Sequence, residues 1–546
     1  MKPYLISILS KALEKVAGEP LDVSIIIENP RDVSHGDAAT NLAMTLSGRL
    51  KKAPRKIAEE LIDALEYDSN KISGIEIAGP GFINFRFAKD WLFNELAQII
   101  KTGHDYGKTD SNKGKRVLVE FVSANPTGPL TVGHGRNAVL GDTICRLLEW
   151  TGAEVQREYY FNNAGRQMRL LGQSVHTRYV QQHGVECELP DGGYEGEYIR
   201  DIAAKLTNLH GTGLLDKKST DSIFKEAAES AIFNDIKTTL SRMQIEMDSF
   251  FNEHTLYESG SIDRVVEKLR AIGLAYDADG AVWFKTTTFG KDKDTVLIKS
   301  TGEPTYRLPD IAYHIDKLER GFDLCIDIFG ADHIATYPDI VSAVNALGYD
   351  ASKIDVQVYQ FVSIVKDGVP FKMSTRKANF VTLDELMDEV GSDVTRFFFL
   401  MRTPGTHLEF DIAEAKEAGE KNPVYYLQYA HARIKSILRK AGEEYPEVLD
   451  DIANLSKLNH DTEIGLIKLL FQFPDFTENA TKHREPHRLI GYLNDVASQF
   501  HKFYHDCRIL GEPAEIASAR AQLLKAVVTV MANGLTILGI SAPDKM

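Results

Sequence analysis

Cysteine is scarce in this chain of 546 residues, and the four present, Cys145, Cys187, Cys325 and Cys507, lie far apart with no C-x-x-C pair. Neither a disulfide framework nor a zinc knuckle is therefore expected. Long hydrophobic runs are lacking too. The longest nearly apolar stretch, Ala526 to Ile540, is interrupted by Asn533 and two glycines and falls short of the ~20 residues that a membrane span requires. The start, Met1-Lys2-Pro3-Tyr4, enters an amphipathic pattern directly, without the features of a targeting signal, so a cytoplasmic location with no membrane contact is the expectation. Positive charge is in deficit, with 63 Lys plus Arg against 78 Asp plus Glu and a net charge of −15. This excludes a general polyanion-binding field, although specific RNA binding needs only a local basic surface. Such clusters occur at Lys51-Lys52-Arg55-Lys56, Lys372-Arg376-Lys377 and His431-Arg433-Lys435-Arg439-Lys440. No GxxxxGK[ST] loop occurs, which removes a P-loop NTPase, and His483-Arg484-Glu485-Pro486-His487 is not H-E-x-x-H. No residue is assigned as a metal ligand.

What is present divides the chain into three parts. Residues 1–110 mix helical and strand patterns: Leu5, Ile8, Leu9 and Leu13 share one helix face, Pro54 stands where a second helix begins, and two short runs flank Gly79-Pro80-Gly81 as a hairpin. A polar, glycine-rich linker, Thr102 to Gly114, follows. Residues 111–415 alternate strands with helices, which argues for a mostly parallel α/β sheet. Its candidate strands are Val117–Val122, Val155–Tyr160, Leu324–Phe329 and Val356–Ser363, with an insertion at about 165–290. Residues 416–546 are helical nearly throughout, with Tyr426, Tyr429, Ile434 and Ile437 on one helix and Leu489, Leu493, Val496 and Phe500 on another, so a helix bundle is expected.

The stretch Ser123 to Asn137 is a Pro/Gly-punctuated loop between an apolar run and a helical pattern. Strand, loop, helix in that order points helix N-terminal amides at whatever lies above the sheet, which favours polyphosphate. Gly133-His134-Gly135-Arg136-Asn137-Ala138 matches the dinucleotide fingerprint G-x-G-x-x-A, so an NAD-linked oxidoreductase is one reading. Against it, ten residues with two prolines separate Val122 from Gly133, where the fingerprint needs a glycine at the strand end.

Thr131-Val132-Gly133-His134 resembles the HIGH motif of class I aminoacyl-tRNA synthetases, and the block Ala124 to His134 is similar to the form found in arginyl-tRNA synthetases. Far downstream, Phe371-Lys372-Met373-Ser374-Thr375-Arg376-Lys377, with its flank to Leu383, resembles that family's KMSKS loop. The resemblance spans the chain. It implies a Rossmann-like parallel-sheet catalytic domain, an N-terminal α+β domain that contacts tRNA and a C-terminal all-α bundle that binds the anticodon stem. The implied activity uses ATP with Mg²⁺ to convert L-arginine to the adenylate and transfers arginine to the terminal ribose of an arginine-specific tRNA. The implied enzyme is a monomer that needs bound tRNA for efficient activation.

By the same resemblance His134, Lys372, Thr131 and Ser374 are catalytic; Gly133, Gly135, Asn137, Gly330, Asp332, His333 and Met373 bind ATP; Glu120, Asn125, Tyr306 and Asp310 bind arginine; Tyr429 and Arg433 bind tRNA. The residue types suit the chemistry. Adenylation requires two anions to be positioned and charge to be stabilised on phosphate oxygens, which calls for donors such as His134 and Lys372. Glycines at 133 and 135 let backbone approach the nucleotide, and a guanidinium is selected by carboxylates. Three positions depart from the family pattern: Thr131 replaces the first motif histidine, Thr375 the second lysine of KMSKS, and Asn163 an aspartate. A tRNA-binding paralogue that has lost catalysis is therefore a further reading.

Overall fold

Val117, Leu118 and Val119 are almost fully buried because their strand, Arg116–Glu120 (β1), is the centre of a five-stranded sheet in the computed structural model. The structure describes all residues except 29, 31–34, 332–333, 371–380, 418, 420–421 and 447–451. The other strands of the sheet are Glu154–Phe161 (β2), Ser249–Asn252 (β3), Leu324–Gly330 (β4) and Ile354–Tyr359 (β5). Their order is β5-β4-β1-β2-β3, and every pairing is parallel. The chain runs outward from β1 to β3, then restarts on the other side of β1. The topological switch point therefore lies between β1 and β4, where open α/β sheets bind ligands beyond the carboxyl ends of their strands.

Two strand readings need correction. The run Val117–Val122 leaves the sheet after Glu120, because Val122 and Ser123 both take left-handed backbone conformations, φ 68° and 44°. Such values strain a β-branched residue and turn the chain sharply. The run Val356–Ser363 is two strands: β5 ends at Tyr359, and Val362–Lys366 (β6) pairs with Val369–Pro370 (β7) and Leu408–Asp411 (β8) in a separate sheet. Gln360 makes the break by donating its N–H to the Pro404 carbonyl and accepting from Arg136. The stretch read as an insertion contributes three helices, Gly165–Gln182, Glu197–His210 and Ser222–Arg242, and then returns to the sheet as its edge strand β3.

Helix α1 (Val132–Trp150) crosses from β1 to β2, and α2 (Arg307–Glu319) precedes β4. In α3 (Ser392–Leu400) the fully buried Arg396 donates to Asp142 Oδ2 of α1 (2.6 Å), the Met243 carbonyl (2.7 Å) and the Leu538 carbonyl (3.0 Å). One guanidinium thus ties the five-stranded sheet's first helix to the last helix of the chain. The C-terminal bundle begins with α4 (Pro423–Glu444) and ends with α5 (Ala514–Leu538). By length and composition α5 is apolar enough to cross a membrane, but 72% of its apolar window is buried inside the protein. It is the bundle's core helix.

At the N-terminal end, Lys2–Ala17 buries the expected Leu5, Ile8, Leu9 and Leu13, Pro54 opens the helix Pro54–Ala64, and Ile72–Ala78 pairs antiparallel with Phe82–Phe87. The next helix, Lys89–Thr102, sends Trp91, Leu92, Leu96 and Ile99 into the core shared with the C-terminal bundle. The glycine-rich linker is pinned rather than loose, since Asn533 Nδ2 donates to the Gly103 and Tyr106 carbonyls, at 3.1 and 3.0 Å.

Candidate active site

Parallel register sets three carboxylates side by side at the switch point. Asp327 of β4 lies opposite Glu120 of β1, which lies opposite Glu158 of β2. Three like charges in a row are destabilising unless cations reach them, and α2 supplies these. Lys317 Nζ, fully buried, bonds Glu120 Oε2 at 2.5 Å and also Asp327. Just past the helix, Arg320 grips Glu158 with two bonds of 2.6 and 2.7 Å, and Tyr313 and Ser249 donate to the same carboxylate, each at 2.7 Å. His314 Nε2 faces Asp327 at 2.9 Å while its Nδ1 faces the Asp310 carbonyl at 2.7 Å. Burial works against ionisation of Asp327, but Lys317 and His314 hold its carboxyl well below the usual range. Glu120 has one cation and is raised by burial. Its other oxygen accepts from Ser123 Oγ at 2.9 Å.

One turn earlier on α2, the carboxylate of Asp310 has no hydrogen-bond partner among the described residues. It is half-buried, and desolvation pushes its pKa up to about 7, with Glu120 and Glu253 adding to the rise and His314 and Lys317 opposing it. Glu253 is buried beyond the end of β3, where Tyr160 and Asn162 donate to it at 2.6 and 2.7 Å. Tyr306, 76% exposed, stands at the start of α2 one turn above Asp310. Asn125 lies across the site at β2's exit, accepting from Asn162 N–H and donating to Gln167 Oε1, both at 3.1 Å. Asp310, with Glu120 and Glu253 acting on it, is an acidic group without a bonded partner among the described residues and is suited to an organic cation.

On the other side of the switch point α1 begins with a capping box, which satisfies helix N-terminal donors reciprocally. His134 N–H donates to Thr131 Oγ1 at 3.4 Å, and Thr131 N–H donates to His134 Nδ1 at 3.1 Å. Because Nδ1 accepts, the ring proton of the neutral imidazole sits on Nε2, which has no partner among the described residues. Burial lowers the His134 pKa and keeps this neutral donor form. Thr131 is thus the N-cap that aims His134. It also bridges to Thr382, while Leu383 N–H donates to the Leu130 carbonyl at 2.8 Å, so the flank following the second motif lies against the first. Lys372, Met373, Ser374 and Thr375 themselves, with Asp332 and His333, lie outside the described residues.

Two expectations for the nucleotide side change. A Cβ on Gly133 would meet only Thr131 Oγ1, at 3.6 Å, leaving its outer face open. A Cβ on Gly135 would come within 2.6 Å of Leu383 and 3.0 Å of Phe399, both buried, so this glycine serves helix packing rather than approach to a nucleotide. Gly135→Ala is accordingly expected to lose about 1–3 kcal/mol of stability through overpacking, read as a lower urea midpoint. Asn137, 4% exposed, accepts from Val122 N–H at 2.7 Å and donates to the Ile328 carbonyl at 2.8 Å. With both ends of its amide engaged, it braces β1's strained exit against β4 and is not free to bond ATP. Gly330 ends β4 at the switch point, paired with Tyr359. Gly133 to Ala138 lie inside α1, beyond the loop, which is not the strand-to-helix turn that a dinucleotide requires.

In α4, Tyr429 stacks on Tyr425 with ring centroids 6.0 Å apart and planes 9° apart, and Arg433 lies 5.0 Å over the Tyr504 ring. Lys317, Arg320 and Glu253 were missed as site residues. The first two carried a signal, since Asp310, His314 and Lys317 recur at helical spacing along α2 and Arg320 continues that spacing just past its end. Glu253 carried none.

Residues 95–397 match the family model for the class I (R) tRNA synthetase catalytic domain, residues 4–87 that for the arginyl tRNA synthetase N-terminal domain, and residues 427–546 that for the DALR anticodon binding domain. Together with the parallel sheet and the histidine at the start of α1, these define a class I aminoacyl-tRNA synthetase. The chain is 53% identical over 566 residues to an arginine–tRNA ligase of Salinibacter ruber, with 100% of each covered, and 50% identical over 523 residues to one of Desulfotalea psychrophila, covering 95% and 94%. It belongs to the arginyl-tRNA synthetase family. Its fold is also that of Thermus thermophilus arginyl-tRNA synthetase, with a TM-score of 0.78 at 22% identity and 100% of both chains covered.

Proposed function

We propose that this chain activates arginine with ATP across the β1/β4 switch point and then transfers it to its tRNA. The observation that carries the reading is that, among the described residues, the Asp310 carboxylate on α2 and the Nε2–H of His134 at the start of α1 are both left without a partner. Asp310, with Glu120 behind it, holds the guanidinium; Tyr306 covers it, and Asn125 faces the α-amino end. An arginine carboxylate oxygen attacks the α-phosphorus, the bond from that phosphorus to the β-phosphate's bridging oxygen breaks, and pyrophosphate leaves. His134 donates from Nε2 to the phosphate oxygen on which charge grows. Lys372 and Ser374 act on the leaving pyrophosphate, and Gly133 and Gly330 flank the nucleotide with Asp332, His333 and Met373. The terminal ribose 2′-hydroxyl of tRNA then attacks the arginyl carbonyl and expels AMP.

Mg²⁺ enters as the companion of ATP, as membership of the family implies, and no step is assigned to a protein-held metal. The reading divides the work among residues 1–110 and 416–546, which contact tRNA, with Tyr429 and Arg433 in the second, and residues 111–415, which do the chemistry. The enzyme acts as a cytoplasmic monomer.

The direct test is ATP turnover and arginylation dependent on both arginine and tRNA; folded protein that leaves tRNA uncharged would overturn the reading. A pH series tests the pocket itself. The arginine KM is expected to fall about tenfold between pH 6 and pH 8, as Asp310, with its pKa of about 7, ionises. The stability of the free protein runs the other way. A carboxyl raised on folding binds its proton more tightly in the native state, so stability is lost as pH climbs from about 4 towards 7, and arginine restores it. Asp310→Asn is expected to raise the arginine KM about 10–100-fold, the worth of a charge-assisted bond, and to abolish its pH dependence.

A further inference from the structure

Among the described residues, three long cationic side chains are almost fully buried: Lys317, Arg396 and Arg136. Burying a cation costs several kcal/mol unless an anion is near. Lys317 has Glu120 and Asp327, and Arg396 has Asp142. Arg136, 1% exposed, has no ion pair among the described residues. Its Nη1 donates to the carbonyls of Gln360 (2.7 Å) and Thr406 (2.9 Å), and its Nη2 to that of Thr403 (3.1 Å). These oxygens take three of the guanidinium's five hydrogens but leave its charge without an anionic partner, and burial accordingly draws its pKa down to about 10.

The position of this charge gives it a use. Arg136 lies two residues beyond His134 on α1, about 3 Å along the axis, behind the helix terminus whose dipole already favours phosphate. Gln360, which it holds, follows directly on β5, the neighbour of the strand that ends in Gly330. We propose that Arg136 is a buried charge left unpaired so that the ATP phosphates act as its counter-anion through space, making it a determinant of ATP affinity that never touches the nucleotide. A carboxylate partner would satisfy the free protein and cancel the field. Carbonyl acceptors fix the guanidinium's place while preserving its charge for the ligand.

The inference rests on the reading of the α1 terminus as the phosphate site, so its test is chosen to separate the two. Arginylation kinetics at one fixed ionic strength are compared for Arg136→Gln, Arg136→Lys and Thr406→Asp. Removing the charge with glutamine is expected to raise the ATP KM about tenfold, the effect of one unit charge acting over several ångströms, with the arginine KM within about twofold of the parent. Lysine, which keeps the charge but loses the fork, recovers most of that affinity. Thr406 is exposed, and an aspartate there supplies the missing anion from the surface. Thr406→Asp is expected to raise the ATP KM without lowering Tm, a combination that a purely structural role for Arg136 does not produce. An unchanged ATP KM in Thr406→Asp, or equal rises for ATP and arginine in Arg136→Gln, would overturn the proposal. Should the glutamine variant not fold, Thr406→Asp decides alone. Full activity in His134→Ala would instead refute the phosphate-site reading, whatever the ATP KM values show.

Discussion

Replacing His134 with alanine is expected to lower arginine-dependent ATP–pyrophosphate exchange, measured with tRNA present, about 10²–10³-fold, the loss that follows removal of one preorganised donor to a developing oxyanion. The effect falls on kcat, because a donor that strengthens only as charge grows on the phosphate contributes little to ground-state binding. The ring is well prepared for this. Its Nδ1 is engaged by Thr131 N–H, and burial keeps it neutral, so Nε2–H remains the working proton at physiological pH. Thr131→Ser serves as the companion variant: it keeps a capping hydroxyl and retains most activity. Thr131, which stands where the family's first motif histidine usually does, is thereby accounted for as the residue that orients the second.

Lys317→Met is expected to destabilise the protein by about 3–5 kcal/mol at pH 7, because deleting one partner of a buried ion pair leaves the other charges uncompensated. Here the abandoned groups are two, Glu120 and Asp327, on adjacent strands in direct register. The pH dependence gives the signature. In the parent, the depressed Asp327 contributes stability above its unfolded pKa of about 3.9 and loses it as pH falls through the folded value. In the variant Glu120, already raised by burial, loses its cation, so stability declines as pH rises above about 4. The difference between the two proteins, read from urea unfolding, is therefore greatest near neutral pH, narrows towards pH 4 and closes only as pH falls through the folded value of Asp327. Arginine affinity falls with it, since Glu120 loses the bond that holds it behind Asp310.

Much of the site was legible in the chain because local signals coincide there. The Pro/Gly-punctuated loop that opens at Ser123, the histidine at its working end and the apolar run before Glu120 are each short-range features. Gly135 and Asn137 are assigned to the nucleotide by the family resemblance of the motif they follow. Their real partners, Leu383 and Phe399 for the one and Val122 and Ile328 for the other, are set by packing, to which spacing is blind. Glu253 reaches the site on a strand of four residues, too short for any period to declare itself.

By itself, then, the amino-acid sequence determined the motif histidine at the start of its helix and the family to which the chain belongs, because these rest on residue type and on short-range spacing. Tertiary structure alone decided which carboxylates share one cation, which one is left without a partner among the described residues, and that Arg136 has carbonyls rather than an anion around it. Those outcomes depend on strand register and on side chains more than a hundred residues apart, where the energy of one charge is set by what the fold places beside it.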